Sequence, residues 1–386
     1  VFRCSLCALL ATVIAALAAP PALADAVVSP PVKPRAVTIN PSDMPPMTPG
    51  PVVVPEGEPL PTEPPMRKKP THDPSIQLSP SGSLVDTLDL TSGTNLISAP
   101  IRNFAGIDSV AEPPDPVGDV GPHHYVQMVN STQFQVWDKQ GNSLLGPADF
   151  GGLWPATDAC SSNLGDPIVL YDHLADRWLL SQFTSNDDET RTWMCIAISQ
   201  NPDPSINSWY LYTFEMYAIL DYPKFGVWPD GYYMSTHEGS QLGVFVFDRA
   251  SMLTGDAAAF IKETLADPTA NSGVRDTRIL PADLDGPAPP DGTPNFFVRT
   301  VDDQQDIDDA NDRVEIYEAS VDWNTMSFSF TLANDLRAVD GLVPFDVMVC
   351  NRTGWGARDC IPQPDTEFTV DAVSNRPMMQ LKFRNF

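Results

Sequence analysis

The sequence predicts an all-β protein, and three observations support this prediction. From about residue 84 onward, short apolar or aromatic runs alternate with turns rich in Gly, Pro, Asn and Asp, which is typical of a series of short strands. Helical periodicity is weak: the best candidate, 251–266, carries Gly255 and few apolar residues at helical spacing. The third observation is an internal repeat, which indicates how the strands are organised.

Each repeat begins with an aspartate at or near a proline, followed by a short strand, a tight turn and an aromatic-led strand. The copies begin at Asp115, Asp166 and Asp221, with weaker copies near Asp283 and Asp371. The second copy extends to four strands, at 168–171, 178–183, 194–199 and 210–214. Four short antiparallel strands per copy predict a β-propeller-like fold with four visible blades and the start of a fifth. A β-sandwich is the alternative, and a recurring lead motif of this kind disfavours it.

Residues 1–24 have the features of an export signal. Arg3 provides a positive charge, 8–19 is apolar, and Ala22-Leu23-Ala24 fits the small-x-small pattern before a cleavage ahead of Asp25. The apolar run is too short to span a bilayer. We therefore expect a secreted protein, extracellular or at the cell surface, with the periplasm as an alternative and no membrane span after signal removal.

The stretch 25–83 predicts a disordered, Pro-rich spacer. Sixteen of the residues between 28 and 80 are proline, and long apolar periodicity is absent. Such a composition favours extended polyproline II and buries too little surface to fold. The predicted division is therefore a signal at 1–24, a spacer at 25–83 and a repeat domain at 84–386.

Four cysteines remain after the signal, Cys160, Cys195, Cys350 and Cys360, and an even number in an exported chain indicates disulfides. The last two enclose a polar, Gly-rich loop that a bridge would close, which leaves the first two as the other pair. Zinc is the alternative, but there is no CxxC spacing and no histidine lies near these cysteines in the sequence.

Charge excludes some partners. The chain has 23 Lys+Arg against 50 Asp+Glu, a formal net charge of −27. Non-specific binding of nucleic acid requires Lys and Arg to displace counterions, so nucleic acid is not expected as a partner. Binding to an anionic membrane surface is disfavoured for the same reason.

Several motifs resemble a family of exported bacterial surface proteins with propeller-like repeats. They are the stretches 118–122, 125–130, 165–172, 175–183, 221–234, 360–364 and 384–386. The resemblance covers roughly 99–386 and implies a fold and a compartment but no activity. It also implies further blades after Arg384-Asn385-Phe386, so that this chain would be C-terminally truncated and its repeat domain incomplete.

The lead aspartates are the best candidates for a ligand site. The first strand of each propeller blade lines the central channel, so Asp115, Asp166, Asp221 and Asp283 are expected to form a partial ring at one mouth. Clustered carboxylates repel each other unless they are protonated or bridged by a cation, and oxygen ligands suit Ca²⁺. The alternative is that each aspartate only caps the turn that follows it.

Two further features are candidates for binding. Asp302, Asp303, Asp306 and Asp308 crowd one acidic loop and are candidate calcium ligands, although the EF-hand pattern is not met; a solvated acidic insertion is the alternative. Trp355 lies in the loop between Cys350 and Cys360, where an exposed indole would serve as a ligand contact. Calcium is the one candidate cofactor.

Standard catalytic signatures are absent from the sequence: there is no G-x-S-x-G, no H-E-x-x-H and no P-loop. The expected function is therefore that of an exported binding or interaction protein, with a polysaccharide or a surface protein as its partner. The alternative is an extracellular carbohydrate-active enzyme, a glycosidase or lyase, that uses channel-mouth carboxylates such as Asp166 and Asp221.

Overall fold

The computed structural model describes residues 26–44, 101–109, 111, 113–130, 133–186, 188, 190–216, 220–238, 241–266, 278–301, 312–337, 340–341, 359–362, 369–371, 377–378 and 380–385. Regular structure within these ranges is almost entirely β-strand, and the one α-helix in them is short, Arg249–Thr254. The predicted all-β class is therefore confirmed. No helix in the described part of the chain is long and apolar enough to cross a membrane.

Most strands belong to four antiparallel sheets, which follow one another along the chain and are numbered here in that order. Two strands precede them: β1 (Val27–Val28) and β2 (Arg35–Thr38). Sheet 1 contains β3 (Val117–Val120), β4 (His124–Val129), β5 (Gln133–Asp138) and β6 (Ser143–Asp149). Sheet 2 contains β7 (Gly165–Asp172), β8 (Arg177–Ser185), β9 (Thr192–Ser199) and β10 (Ser208–Met216). Sheet 3 contains β11 (Asp221–Trp228), β12 (Gly231–His237), β13 (Gln241–Phe247) and β14 (Phe260–Ala266). Sheet 4 contains β15 (Ile279–Leu284), β16 (Asn295–Val301), β17 (Arg313–Asp322) and β18 (Ser327–Leu336).

The four sheets stack face to face in a propeller-like arrangement. The first strands of consecutive sheets contact each other: β3 with β7, β7 with β11, and β11 with β15. A separate hydrophobic core fills each of the three spaces between neighbouring sheets. Successive side chains of a strand point to opposite faces, so Leu179 of β8 packs against sheet 3 while Leu180 packs against sheet 1. This period of two explains why the inner strands are apolar on both faces.

The first strands of sheets 3 and 4 approach each other so closely that one position requires a glycine. A Cβ on Gly226 of β11 would overlap the backbone carbonyl of Ala282 in β15. The absence of a side chain therefore lets these two strands approach each other closely at this point.

The structure corrects the predicted spacer over residues 26–44. Strand β2 pairs antiparallel with β10 at the outer edge of sheet 2, and β1 pairs antiparallel with β14 at the outer edge of sheet 3. Prolines between these short strands are tolerated because both strands lie at sheet edges, where one side of the backbone needs no ladder partner. Residues 1–25 and the remainder of the predicted spacer lie outside the described residues.

The C-terminal strands do not bear out the predicted start of a fifth blade. Strands β19 (Asp359–Pro362) and β20 (Thr369–Asp371) pair with each other. Strand β21 (Leu381–Phe383) pairs in parallel with β15 and thereby joins sheet 4. Four sheets of the predicted kind are present in the described residues, so the number of blades stays a prediction.

One disulfide is present in the described part of the chain. Cys160, in a 3₁₀ turn at Ala159–Ser161, is bonded to Cys195 in β9, with 5.6 Å between their Cα atoms. This confirms one predicted pair and ties the loop between sheets 1 and 2 to the core. The predicted pair of Cys350 with Cys360 lies outside the described residues and side chains.

Candidate functional site

In three copies of the lead motif, a residue in the left-handed backbone conformation stands directly before a proline. Asp115, Asp166 and Tyr222 have φ angles of 35°, 50° and 56°, and each stands directly before a proline. This conformation is costly for a residue with a side chain, by about 1–3 kcal/mol, and prolines normally keep the preceding residue extended. In sheets 2 and 3 the strand register shifts at the same point, as in a β-bulge. The structural equivalent of the first two aspartates is therefore Tyr222, and Asp221 lies one residue earlier.

A chain of hydrogen bonds connects the three lead positions across sheets 1, 2 and 3. The side-chain amide of Asn130 donates to Oδ2 of Asp115 at 2.7 Å, and its carbonyl oxygen accepts from the backbone N–H of Asp166 at 3.0 Å. Oδ2 of Asp166 in turn accepts from the backbone N–H of Tyr222 at 2.9 Å. The Asp166 carboxylate therefore accepts from the neighbouring sheet, rather than only capping its own turn. Asn130 directly follows β4, and nothing in the sequence pattern marked it.

The fourth lead aspartate lies elsewhere. Oδ1 of Asp283 accepts from the backbone N–H of Val227 at 2.8 Å, and its Oδ2 is 2.6 Å from Nζ of Lys382. Asp283 is the fifth residue of β15 rather than its lead, because β15 begins at Ile279. The structure therefore brings three of the four predicted aspartates together and assigns Asp283 to an ion pair with the C-terminal strand.

Arg278 directly precedes β15, the first strand of sheet 4. Its guanidinium is buried, and Nη2 donates to Oδ2 of Asp221 at 2.9 Å. Nδ1 of His237 is 3.6 Å from the same oxygen. The Asp221 side chain is nevertheless 50% exposed, so one of its faces stays accessible to a ligand.

Five residues make up what we call the first-strand cluster: Asp115, Asp166, Asp221, Lys224 and Arg278. Burial and the neighbouring carboxylates of Asp221 and Asp115 raise the pKa of Asp166 to about 6, against the opposing effects of Lys224 and the Tyr222 N–H. Burial also raises the pKa of Asp115. Burial lowers the pKa of Lys224 and outweighs the attraction of the three carboxylates. The cluster therefore contains one carboxyl group that exchanges its proton near neutral pH.

The Lys224 ammonium is within electrostatic range of the three carboxylates and bonds to none of them. Its one hydrogen bond in the described part of the chain is to the carbonyl of Pro223 at 3.2 Å, and Nζ lies 3.8 Å from the centre of the Tyr222 ring. It makes no ion pair with another described residue, although Asp166, Asp115 and Asp221 all act on its pKa. An ammonium has three hydrogens to donate, so two remain for a ligand.

Within the described ranges, no group of three or more His, Cys, Asp or Glu side chains is placed to hold a metal ion. An ammonium instead lies within electrostatic range of the three carboxylates that were expected to require a bridging cation. The other predicted calcium ligands, Asp302, Asp303, Asp306 and Asp308, and the predicted contact Trp355 lie outside the described residues.

Comparisons with known proteins give structural matches only. No family model matches the sequence, and no curated protein matches it. One solved structure with similarity is the GH43 endo-arabinanase from Bacillus licheniformis, at 11% identity and a TM-score of 0.29, covering 57% of this chain and 79% of that chain. Another is the Penicillium chrysogenum alpha-L-arabinanase complexed with arabinobiose, at 11% identity and a TM-score of 0.30, covering 57% and 66%. A thermostable family-43 glycoside hydrolase matches at 9% identity and a TM-score of 0.30, covering 60% and 76%. TM-scores of this size carry no argument about activity.

Proposed function

We propose that this protein binds a polyhydroxylated ligand, a glycan, at the first-strand cluster. The observation that carries the proposal is the Lys224 ammonium, whose one hydrogen bond in the described part of the chain is to a backbone carbonyl, within electrostatic range of the half-exposed carboxylate of Asp221. A ligand at this position has to accept hydrogen bonds from the ammonium and donate hydrogen bonds to a carboxylate. A hydroxyl group does both at once, and adjacent hydroxyls on a sugar ring present several such groups together.

The surroundings support the same ligand. Asp221 is half exposed, so a sugar reaches this carboxylate from solvent, and burial raises the pKa of the neighbouring Asp115 and Asp166. The strained backbone at the lead positions also fits a site of ligand contact, because residues held in sparsely populated conformations concentrate at such sites.

A glycan array tests the proposal, with wild-type protein, Asp166→Asn and Asp119→Asn. Asp119 is the matched control, because it makes the same kind of contact outside the first-strand cluster. Its Oδ2 accepts from the Tyr171 N–H at 2.8 Å, as Oδ2 of Asp166 accepts from the Tyr222 N–H. Asparagine keeps an acceptor oxygen for the bond between sheets in both variants. We expect Asp166→Asn to weaken binding on the order of tenfold, and Asp119→Asn to bind as wild type does. Equal loss in both variants, or no wild-type binding to any glycan, contradicts the proposal.

Glycoside hydrolysis is the second candidate, and the pKa of about 6 at Asp166 favours it. A carboxyl group whose pKa is raised toward neutral pH can serve as a general acid for a leaving sugar oxygen, and Asp221 supplies a second carboxylate. Reducing-sugar release from the glycans that bind separates the two functions. Binding without turnover supports the binding protein, whereas turnover that Asp166→Asn abolishes with the fold intact supports the enzyme.

We also propose that the protein is exported and that its four sheets are propeller blades. The first strand in the described part of the chain, β1, begins at Val27, two residues after the predicted cleavage site. Removal of 1–24 therefore leaves every pairing of β1 and β2 intact. The mature N-terminus is checked by mass spectrometry of the protein recovered from the cell exterior; a mature chain that begins beyond Thr38 contradicts the proposed cleavage.

A further inference from the structure

Residues 377–378 and 380–385, which we call the strap, contact the first strands of sheets 3 and 4. At one end, the Tyr222 hydroxyl of β11 donates to the carbonyl of Pro377 at 3.1 Å. In the middle, β21 pairs in parallel with β15, and the backbone N–H of Asp285 donates to the carbonyl of Phe383 at 2.8 Å. The strap therefore connects two neighbouring sheets through their first strands.

Two ion pairs hold the strap at β15. Nζ of Lys382 is 2.6 Å from Oδ2 of Asp283, and Nη2 of Arg384 is 2.5 Å from Oδ2 of Asp285. The two cations are two positions apart, and so are the two aspartates, which places both pairs on the same side of the extended backbone. The spacing of charge in the strap therefore matches the spacing of charge along β15.

The residue between the two cations makes an aromatic contact. The ring centre of Phe383 is 4.9 Å from that of Trp228 and 5.6 Å from that of Phe296, whose ring is nearly parallel to it. Both partner rings belong to the sheets themselves, Trp228 to β11 and Phe296 to β16. An alternation of basic, aromatic and basic residues therefore fits the strap to this position.

Tyr222 links the strap to the first-strand cluster. Its backbone N–H donates to Oδ2 of Asp166 at 2.9 Å, and Nζ of Lys224 lies 3.8 Å from the centre of its ring. A phenol hydroxyl has one hydrogen to donate, and the strap accepts it. The strap thus engages a polar group directly beside the cluster, while the Asp221 carboxylate stays half exposed.

We propose that the strap is an autoinhibitory element of the first-strand cluster: while closed, it withholds the Tyr222 hydroxyl from the ligand, and its opening raises the affinity of the site. The inference rests on the proposed function, that the cluster binds a glycan. A sugar that bonds to Tyr222 as well as to Asp221 has to displace Pro377. The apparent affinity for such a ligand is that of the open state, reduced by the fraction of molecules that are open.

The strap has the features of a segment that opens before the sheets unfold. β21 pairs over three residues, and parallel pairing is slightly less stable than antiparallel pairing. The side chains of Arg384 and Asp285 are 61% and 40% exposed, so solvent and salt screen their pair. Lys382 covers Asp283, which is only 6% exposed, and this pair is therefore the main ionic anchor. Segments with few buried contacts open locally at a lower free energy than the whole domain.

The experiment compares wild type, the double variant Lys382→Met with Arg384→Met, and Arg191→Met. Arg191 is the matched control, because it forms an ion pair at 2.7 Å with Glu215, outside the strap. Arg384→Met alone covers the case in which the double variant fails to fold. The chain is otherwise left intact in each variant.

Two measurements separate opening of the strap from ligand binding. Hydrogen exchange followed by mass spectrometry reports opening at the Asp285 amide, which donates to the strap. A glycan array and titrations with neutral glycans report affinity, and neutral glycans are used because the double variant also changes the net charge of the protein.

We expect the double variant to exchange the Asp285 amide faster and to bind neutral glycans on the order of tenfold more tightly than wild type does. Arg191→Met should match wild type in both measurements. Raising the salt concentration from about 0.05 to about 0.5 M should tighten glycan binding by wild type and leave the double variant unchanged, because salt screens the two ion pairs.

Three results would overturn the inference: faster exchange without a gain in affinity, unchanged exchange in the double variant, or the same gain in Arg191→Met. Wild type still binds glycans in these cases, so the proposed function stays in place. If neither wild type nor the double variant binds any glycan on the array, the proposed function fails and the inference fails with it. Binding by the double variant alone supports both.

Discussion

Two clusters of the described residues combine aspartates with a cation. In one of them the charged groups bond directly to each other, and we call it the closed cluster. In the closed cluster, the buried carboxylate of Asp172 accepts from Nε and Nη2 of Arg249 at 2.7 and 3.0 Å and from the Tyr232 hydroxyl at 2.8 Å. In the first-strand cluster, Lys224 bonds to a backbone carbonyl and leaves its carboxylates to other partners. The Asp172 carboxylate thus accepts from several protein donors, whereas the Lys224 ammonium bonds to no side chain of the described residues.

The two cations differ in how the fold treats their charge. Burial lowers the pKa of Arg249, but the hydrogen bonds and charge of Asp172 more than compensate, so that this pKa is raised. Burial lowers the pKa of Lys224 as well, and there the carboxylates do not compensate. The folded state therefore stabilises the charge of Arg249 and disfavours that of Lys224. Under the proposed function, this missing compensation separates the ligand site from a structural ion pair.

The largest expected effect is at the closed cluster. Arg249→Met leaves the Asp172 carboxylate buried without its ionic partner, which costs about 3–5 kcal/mol of the free energy of unfolding. Chemical denaturation followed by tryptophan fluorescence measures the loss. Glycan binding by the folded fraction should be unchanged, because Arg249 lies outside the first-strand cluster.

An exposed ion pair provides the control for this prediction. Arg191 contacts Glu215 at 2.7 Å, but the two side chains are 56% and 49% exposed. We expect Arg191→Met to change the unfolding curve little, because solvent screens such pairs. Equal losses in the two variants would mean that burial does not separate closed from exposed pairs in this protein.

A smaller effect is expected from Asp166, and it depends on pH. A pKa of about 6 in the folded state, above the ordinary value of 3.8, means that folding strengthens proton binding. Stability from this group is therefore fully present below pH about 4 and is lost as the pH rises to about 6, by about 2–3 kcal/mol. Asp166→Asn should remove this part of the pH dependence. Unfolding curves of wild type and variant across this range test it, and a constant difference between them contradicts the raised pKa.

The sequence predicted the interior strands and missed the edge strands, for a physical reason. Strands such as β8, with an aromatic residue at its start and apolar residues on both faces, are recognised locally because burial on two sides leaves a continuous apolar run. Strand β2, at Arg35–Thr38, is held by β10 at Ser208–Leu211, far along the chain, and prolines flank it. Its pairing is a long-range contact that no local pattern records.

The candidate site was predicted in part for a similar reason. Asp115, Asp166 and Asp221 share a spacing that the repeat exposes, whereas Asn130, Lys224 and Arg278 act through contacts between sheets. Lys224 could have been found by aligning the copies on their prolines rather than on their aspartates. That alignment also places Tyr222 opposite Asp166 and shows where the third copy breaks the pattern.

The smallest expected effect is the stability change in Lys224→Met, and it separates the two clusters most sharply. Because the folded state disfavours the Lys224 charge, replacing the side chain by an apolar one of similar length should change the free energy of unfolding by no more than about 1 kcal/mol, in either direction. The same substitution at Arg249 is expected to cost several times more. Denaturation of both variants at neutral pH tests the contrast. A loss at Lys224 as large as that at Arg249 would show that the first-strand cluster is a structural ion cluster rather than a site open to ligand.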